Sequence, residues 1–193
     1  MSPESEQHEV TVVLDADSVA KAVRRLAHEI LEAHPDPGDY ALMGILSRGR
    51  PLADRLASEI QRLRGESPNV GSLSTVLYRD DLRSGRRLPK FGSGETHFDF
   101  DVTGIPVILV DDVFATGRTT RAALDEIIDY GRPSRIELAC LVDRGVRELP
   151  IRPDYVGWTI GTKPEDHVTV HLMETDGEDA VLLAQQSTDD SDR

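Results

Sequence analysis

The sequence predicts an α/β domain built on a central, mainly parallel sheet with helices on its faces. Three observations carry that expectation. Short apolar runs of strand length alternate with segments of helical periodicity. Strands that alternate with helices pack as a parallel sheet covered on both faces. No repeat or low-complexity segment breaks the pattern, and 193 residues suffice for one domain with a substantial core.

The elements follow in chain order. Residues 9–14, EVTVVL, read as a first strand. Residues 15–34 place Val19, Val23, Leu26 and Ile30 on one helical face, with Asp15, Asp17 or Ser18 available as a cap. PDPGD stops that helix, and YALMGIL, residues 40–46, is an apolar strand. After the loop SRG, residues 51–65 form a helix with Pro51 in its first turn and Gly65 past its end. Residues 70–78 are a strand. Residues 79–104 are charged and glycine-containing with little periodicity, which predicts a long arm. A strand at 105–110, a helix at 118–131 ended by Gly131, and a strand at 135–142 come next. Shorter strands at 154–160, 167–173 and 180–185 close the domain, which spans residues 10–185. Residues 1–9 and 186–193 read as acidic tails.

Composition narrows the function. The chain has 35 acidic and 22 basic residues, a net charge of −13, which argues against a general nucleic-acid binder. With 38% hydrophobic and 30% charged residues it reads as soluble and globular, with no membrane partner. No apolar run suits a membrane span or a signal peptide, and the lone Cys140 allows no internal disulfide, so the expected location is the cytoplasm. Cys140 itself reads as a small core residue within IELACLV.

The chemistry concentrates in residues 107–124, VILVDDVFATGRTTRAAL. Four apolar residues run into Asp111 and Asp112, at the carboxyl end of a strand, where open α/β sheets bind ligands. The loop ATGRT follows. Gly117 lets the backbone approach a ligand, Thr116 and Thr119 offer hydroxyls, and the helix start offers free N–H groups, which together make a phosphate cradle. Paired carboxylates beside such a cradle suit vicinal hydroxyls or a divalent cation, and a ribose 5-phosphate meets both demands. The spacing is not that of a Walker A loop.

VILVDDVFATGRTT resembles the phosphoribosyl pyrophosphate (PRPP) signature of the type I phosphoribosyltransferases. RRLAHEI, VLYRDDL and DYGRPSRIELACLVDRGVRELPIRPDYVG resemble, within that family, the pyrimidine-operon attenuation regulators that are also uracil phosphoribosyltransferases. The resemblance runs over roughly residues 10–185 and implies the type I phosphoribosyltransferase fold with a small hood and a flexible arm.

The resemblance implies roles at matching positions. Asp111 and Asp112 hold the ribose hydroxyls of PRPP and its Mg²⁺. Ala115, where the family usually has tyrosine, with Thr116, Gly117, Arg118 and Thr119, cradles the 5′-phosphate. Ser47, Arg48 and Gly49 form the pyrophosphate loop, usually Thr-Arg-Gly. Arg79, Asp80, Asp81 and Arg83 begin the closing arm. Asp143, Arg144, Tyr155 and Val156 form the base hood, Tyr155 stacking on the base and backbone near Val156 reading its edge. Uracil nitrogen then displaces pyrophosphate at the anomeric carbon through an oxocarbenium-like transition state, and no histidine is placed as a general base.

A second implied activity is UMP-responsive binding of pyrimidine-operon leader mRNA by Arg24, Arg25, His28, Arg147 and Arg152. For the arginines among them, solvation and hood bracing are the plain alternative. Val146 and Trp158 depart from the family's usual histidine and lysine. An aromatic after PDYVG is also similar to purine phosphoribosyltransferases, so hypoxanthine or guanine transfer is the alternative enzyme. A catalytically weak nucleotide-sensing regulator is the third reading. Family members form homodimers or larger assemblies.

Overall fold

The computed structural model describes residues 9–75 and 95–185. Strand β1 (Glu9–Leu14) leads into helix α1 (Ala16–Ala33). Of the three candidate caps Asp15 is the one used: its carboxylate accepts the Ser18 N–H at 2.9 Å. The expected face of α1 is buried, with Ala22, Ala27 and Leu31 beside it. A single tight turn at Pro37–Asp39 precedes β2 (Ala41–Ile45). Helix α2 (Gly49–Arg64) starts two residues earlier than the position of Pro51 suggests and ends at Gly65. Then come β3 (Asn69–Leu73), β4 (Pro106–Phe114), α3 (Arg118–Tyr130), β5 (Arg135–Asp143), β6 (Tyr155–Thr159), β7 (His167–His171) and β8 (Ala180–Gln185).

Five strands form one parallel sheet in the order β3-β2-β4-β5-β6. The remaining three form a small antiparallel sheet, β1-β8-β7, which is the hood. Alternation along the central strands splits the core. Leu42, Ile108 and Val110 face a cluster with α1, α2 and the hood's Leu14, Val170 and Val181. Met43, Ile45, Val107 and Leu109 face a second cluster with Ala123 and Ile127 of α3. The lone Cys140 is buried in that second cluster, and burial pushes its thiol pKa up, as suits an inert core residue. No described helix is long and apolar enough to cross a membrane.

Two stretches differ from expectation. β4 runs four residues past 110, because β5 pairs with it through Asp111, Val113 and Phe114 and so carries the acidic pair inside the sheet. Residues 95–104 do not belong to a loose arm. His97 exchanges two 2.9 Å backbone hydrogen bonds with Ser72, Thr96 donates to Glu126 at 2.6 Å, and Phe98 meets Tyr130 edge-on at 5.1 Å. The arm residues Arg79, Asp80, Asp81 and Arg83 lie outside the described residues, as do 76–78 of the expected third strand.

The start of α2 touches the sheet backbone to backbone. A Cβ on Gly44 would overlap the Arg50 backbone, and one on Gly49 would overlap the Val110 carbonyl. Gly44→Ala and Gly49→Ala are each expected to cost about 1–3 kcal/mol, since the obstacle is main chain that cannot rotate away. Gly161→Ala, with open space around it, should stay within about 0.5 kcal/mol of wild type. Denaturant melts of the three variants check this, and an unchanged midpoint for both Gly44→Ala and Gly49→Ala would contradict the tight contact.

Candidate functional site

The loops after β2, β4 and β5 meet at the carboxyl ends of the central strands. At their centre lie Asp111 and Asp112. Asp111 is only 6% exposed, and its Oδ1 accepts the Asp112 N–H at 3.1 Å. Among the described residues no salt bridge reaches either carboxylate. Burial pushes the Asp111 pKa well above the usual carboxylate value, and the neighbouring Asp112 charge adds to the rise. Burial also raises Asp112, although hydrogen bonding and the nearby Arg48 charge pull the other way. A buried acid pair short of positive charge accepts hydrogen bonds from hydroxyls or binds a divalent cation.

Ser47, Arg48 and Gly49 turn the chain from β2 into α2, with a cis peptide between Leu46 and Ser47. Gly49 packs against Val110, so this loop sits directly beside the acidic pair. The Arg48 guanidinium grips Asp176 with two hydrogen bonds, Nε to Oδ2 at 3.2 Å and Nη2 to Oδ1 at 2.7 Å. Those bonds raise the Arg48 pKa and hold the Asp176 carboxyl far below the usual range. Asp176 is a partner that sequence reasoning missed. It sits 128 residues away, and nothing in its local sequence marks it.

The loop after β4 enters α3 through Gly117. Gly117 takes φ 88°, a left-handed conformation that glycine adopts without strain, and caps α3. The Thr116 carbonyl accepts N–H groups of Glu148 and Leu149, both at 3.1 Å, which fixes Ala115–Thr119 against the loop after β5. The Arg118 side chain, expected at a phosphate, pairs instead with Glu148 at 2.6 Å, so the loop presents backbone N–H groups and threonine hydroxyls. The buried Thr120 hydroxyl, also missed, has no hydrogen-bond partner among the described residues.

None of the four residues expected in the hood lies in the small antiparallel sheet: Asp143 ends central strand β5, Arg144 follows it, and Tyr155 and Val156 begin central strand β6. Tyr155 is 8% exposed, packs in the α1–α2 cluster and donates its hydroxyl to buried Glu137 at 2.7 Å, so it cannot stack on a ligand. Tyrosine was misread because the apolar neighbours that bury it come from distant segments. Arg144 is spent on residues 162–166, bonding the Thr162 hydroxyl and the Lys163 and Asp166 carbonyls. Asp143 is buried and receives Gly145 N–H at 2.8 Å and Arg147 at 2.6 Å. Val156 is half-buried, and its carbonyl accepts from Arg25. The aromatic ring left at this end of β6 is Trp158, 44% exposed and paired in register with Val142.

The five RNA candidates divide. Arg25 braces β6, donating to the Val156 and Gly157 carbonyls, and Arg147 sits on Asp143 with its guanidinium 5.5 Å from the Phe114 ring centre. Arg24, His28 and Arg152 are exposed, and among the described residues the first two bond the α1 backbone.

The Phosphoribosyl transferase domain model matches residues 9–174. A protein of Pelotomaculum thermopropionicum named Bifunctional protein PyrR is 49% identical over 173 residues, covering 90% of this chain and 94% of the relative. A protein of the same name from Deinococcus radiodurans is 50% identical over 171 residues, covering 89% and 92%. Among solved structures, an HGPRT-ase from Leishmania tarentolae in complex with GMP superposes with TM-score 0.66 at 17% identity, covering 95% of this chain and 99% of that one. A hypoxanthine-guanine phosphoribosyltransferase from Bacillus anthracis superposes with TM-score 0.63 at 18% identity, covering 92% and 99%. At those identities the two structures share the fold.

The acidic pair makes a stability prediction. A carboxyl whose pKa is raised on folding binds its proton more tightly in the native state, so its stability contribution falls as pH rises through the folded pKa. Asp111→Asn is therefore expected to melt higher than wild type at pH 8 without ligand or divalent metal. A gain of about 1 kcal/mol corresponds to roughly 2–4 °C at this chain length. The gap should close as pH falls toward 4. Calorimetry across pH checks this, and a variant that melts lower at every pH would mean that Asp111 is compensated in the fold.

Proposed function

The chain belongs to the PyrR family of phosphoribosyltransferases, and from that premise we propose that it converts uracil and PRPP to UMP and pyrophosphate and binds pyrimidine-operon leader mRNA in response to UMP. The observation that supports the enzymatic half is one cleft with a buried acid pair that no salt bridge reaches among the described residues, a left-handed glycine loop at the helix start after it, and Arg48 near enough to feel the Asp112 charge. Each part answers one part of PRPP. The Asp111 and Asp112 carboxylates accept the ribose hydroxyls. The Ala115–Thr119 backbone and the hydroxyls of Thr116 and Thr119 receive the 5′-phosphate. Ser47, Arg48 and Gly49 meet the pyrophosphate. Uracil N1 attacks C1′, the C1′–O bond to pyrophosphate breaks, and the N1 proton is released. The carboxylates lie where positive charge develops on the ribose.

Magnesium fits the donor set, since Asp111 and Asp112 supply hard oxygen ligands that no salt bridge engages among the described residues. When bound with PRPP it neutralises the departing pyrophosphate. Among the described residues there is no further group of His, Cys, Asp and Glu for a metal. With Tyr155 committed to Glu137, Trp158 is the aromatic surface open to a base at this end of β6. That exposed ring is also the observation that favours a purine as competing substrate, so hypoxanthine and guanine belong beside uracil in the assay. Turnover with a purine alone would replace the uracil reading, and UMP binding without any turnover would leave a sensor.

Two kinetic outcomes are expected. Asp111→Asn and Asp112→Asn each lose about tenfold to a hundredfold in turnover, the worth of a charged hydrogen bond of roughly 1.5–3 kcal/mol. Arg48→Ala lowers the rate but leaves UMP affinity within about threefold, because UMP carries no pyrophosphate. Steady-state kinetics and UMP titration separate these, and an equal loss of rate and UMP affinity would make Arg48 structural.

For RNA, the exposed Arg24 and Arg152 are the groups free to meet phosphate, since Arg25 and Arg147 hold the fold. Each should contribute about −0.7 to the slope of log affinity against log salt on single-stranded leader RNA. The double variant Arg24→Ala, Arg152→Ala is expected to flatten that slope by about 1.4 and to keep uracil turnover. Filter binding with and without UMP tests it; a variant that binds like wild type removes these two arginines from the RNA site.

A further inference from the structure

Arg48 is an awkward residue for its position. It caps the start of α2, where the helix dipole is positive and a cation is unfavourable, and no side chain caps that end. A long arginine there would also have to give up its rotamer freedom each time an anion arrived. Both problems are met by the carboxylate opposite. Asp176 takes the Nε and Nη2 side of the guanidinium in a fork of 3.2 and 2.7 Å. Arg48 Nη1 makes no hydrogen bond among the described residues, and the same guanidinium is near enough to Asp112 to feel its charge. One edge is thus held and the other remains for a ligand.

Asp176 is itself fixed. Its Oδ2 accepts the Leu172 N–H at 2.9 Å and the Thr175 hydroxyl at 2.6 Å, and its own N–H donates to the Leu172 carbonyl at 2.7 Å. It ends the single helical turn Met173–Asp176, between β7 and β8, and Gly177 closes that turn at φ 79°. The turn is tied to α2 a second time. Arg55, seven residues beyond Arg48 and on the same helix face, bonds Glu174 at 2.6 and 2.8 Å and Asp179 at 2.7 and 2.9 Å. The Met173 N–H also donates to Asp179 at 2.8 Å. Asp176 therefore stands on a braced platform, at a fixed distance from the pyrophosphate loop.

We propose that Asp176 is a positioning residue for the pyrophosphate subsite: it holds one edge of the Arg48 guanidinium and so aims the other edge at the leaving group. This rests on the reading of Arg48 as the pyrophosphate ligand. Because Asp176 and pyrophosphate use different edges, the ion pair persists when PRPP binds. The carboxylate lowers the ordering cost of the arginine and does not compete for it.

The test is a double-mutant cycle on the full chain with magnesium. Asp176→Asn keeps the shape and the acceptors for Leu172 and Thr175 but removes the charge. It is expected to raise KM for PRPP and to weaken inhibition by pyrophosphate, each by about tenfold, as fits loss of a charge-assisted fork. KM for uracil and the melting temperature stay near wild type. In the Arg48→Ala background the same change should add less than about twofold. A loss of similar size in that background would show that Asp176 acts only through the fold and would overturn the proposal. Tighter pyrophosphate inhibition in Asp176→Asn would also overturn it, by making the ion pair a competitor. If Arg48→Ala weakens pyrophosphate inhibition and Asp176→Asn does not, the positioning role is wrong and the Arg48 reading stands. If Arg48→Ala itself leaves pyrophosphate inhibition unchanged, the underlying reading falls.

Discussion

The geometry of the cleft depends on a contact that has no side chains in it. The first turn of α2 lies against β2 and β4 so closely that Gly44 and Gly49 have no room for a methyl group. That approach sets where Ser47 and Arg48 stand relative to the end of β4. With a side chain at either glycine, α2 would ride outward, and Arg48 would leave the neighbourhood of Asp112. Close packing of main chain is a stiff constraint, because backbone cannot change rotamer to relieve a clash. The rigid part of the site is thus built by the smallest residues, and the charged ones are hung on it.

What is hung there runs against stability. β4 carries two carboxylates into the sheet, and β5 extends its pairing to hold them there. Burial raises both acids, and among the described residues no salt bridge reaches either of them. Such a pair costs stability in the empty protein, and a ligand bearing hydroxyls or a cation recovers that cost on binding. Affinity for a polar ligand and a penalty in the apo fold are therefore one quantity seen from two sides. The surrounding core, with Ile108, Leu109 and Val110 fully buried just before the pair, is what allows the chain to tolerate it.

The sequence revealed those parts of the site that are local. VDDVFATGRT spans one strand end, one loop and one helix start, so its residue types report directly on its geometry, and Gly117 takes the conformation the motif requires. The order of helices and strands was equally legible, since periodicity is a local property. Long-range pairings were not. Tyr155 carries an aromatic ring in a promising run, yet Glu137 and the α1–α2 cluster claim it. Arg118 sits inside the phosphate motif, yet Glu148 claims its charge. Residues 95–104 look like loop, and only the bridge from His97 to Ser72 shows that they belong to the sheet's edge. In each instance the deciding partner lies 18 to 30 residues away or further, beyond any pattern in a window.

The acidic excess takes on a function in this light. Among the described residues, four guanidinium groups near the strand ends and α2 are already matched: Arg48 with Asp176, Arg55 with Glu174 and Asp179, Arg118 with Glu148, Arg147 with Asp143. A chain of net charge −13 can pin its arginines this way, and an arginine pinned along one edge presents the other in a fixed direction. Anions are then sorted by what remains. On the proposed reading, a monophosphate would meet backbone N–H groups at the Gly117 loop, where Arg118 is already paired with Glu148. On the same reading, a pyrophosphate, longer and more highly charged, would reach in addition the edge of Arg48 that Asp176 leaves open. On the proposed reading, a polyanionic strand would be repelled by the net charge and would have to meet local exposed cations such as Arg24 and Arg152. Selectivity among phosphates follows from how the cations are paired as much as from where they stand.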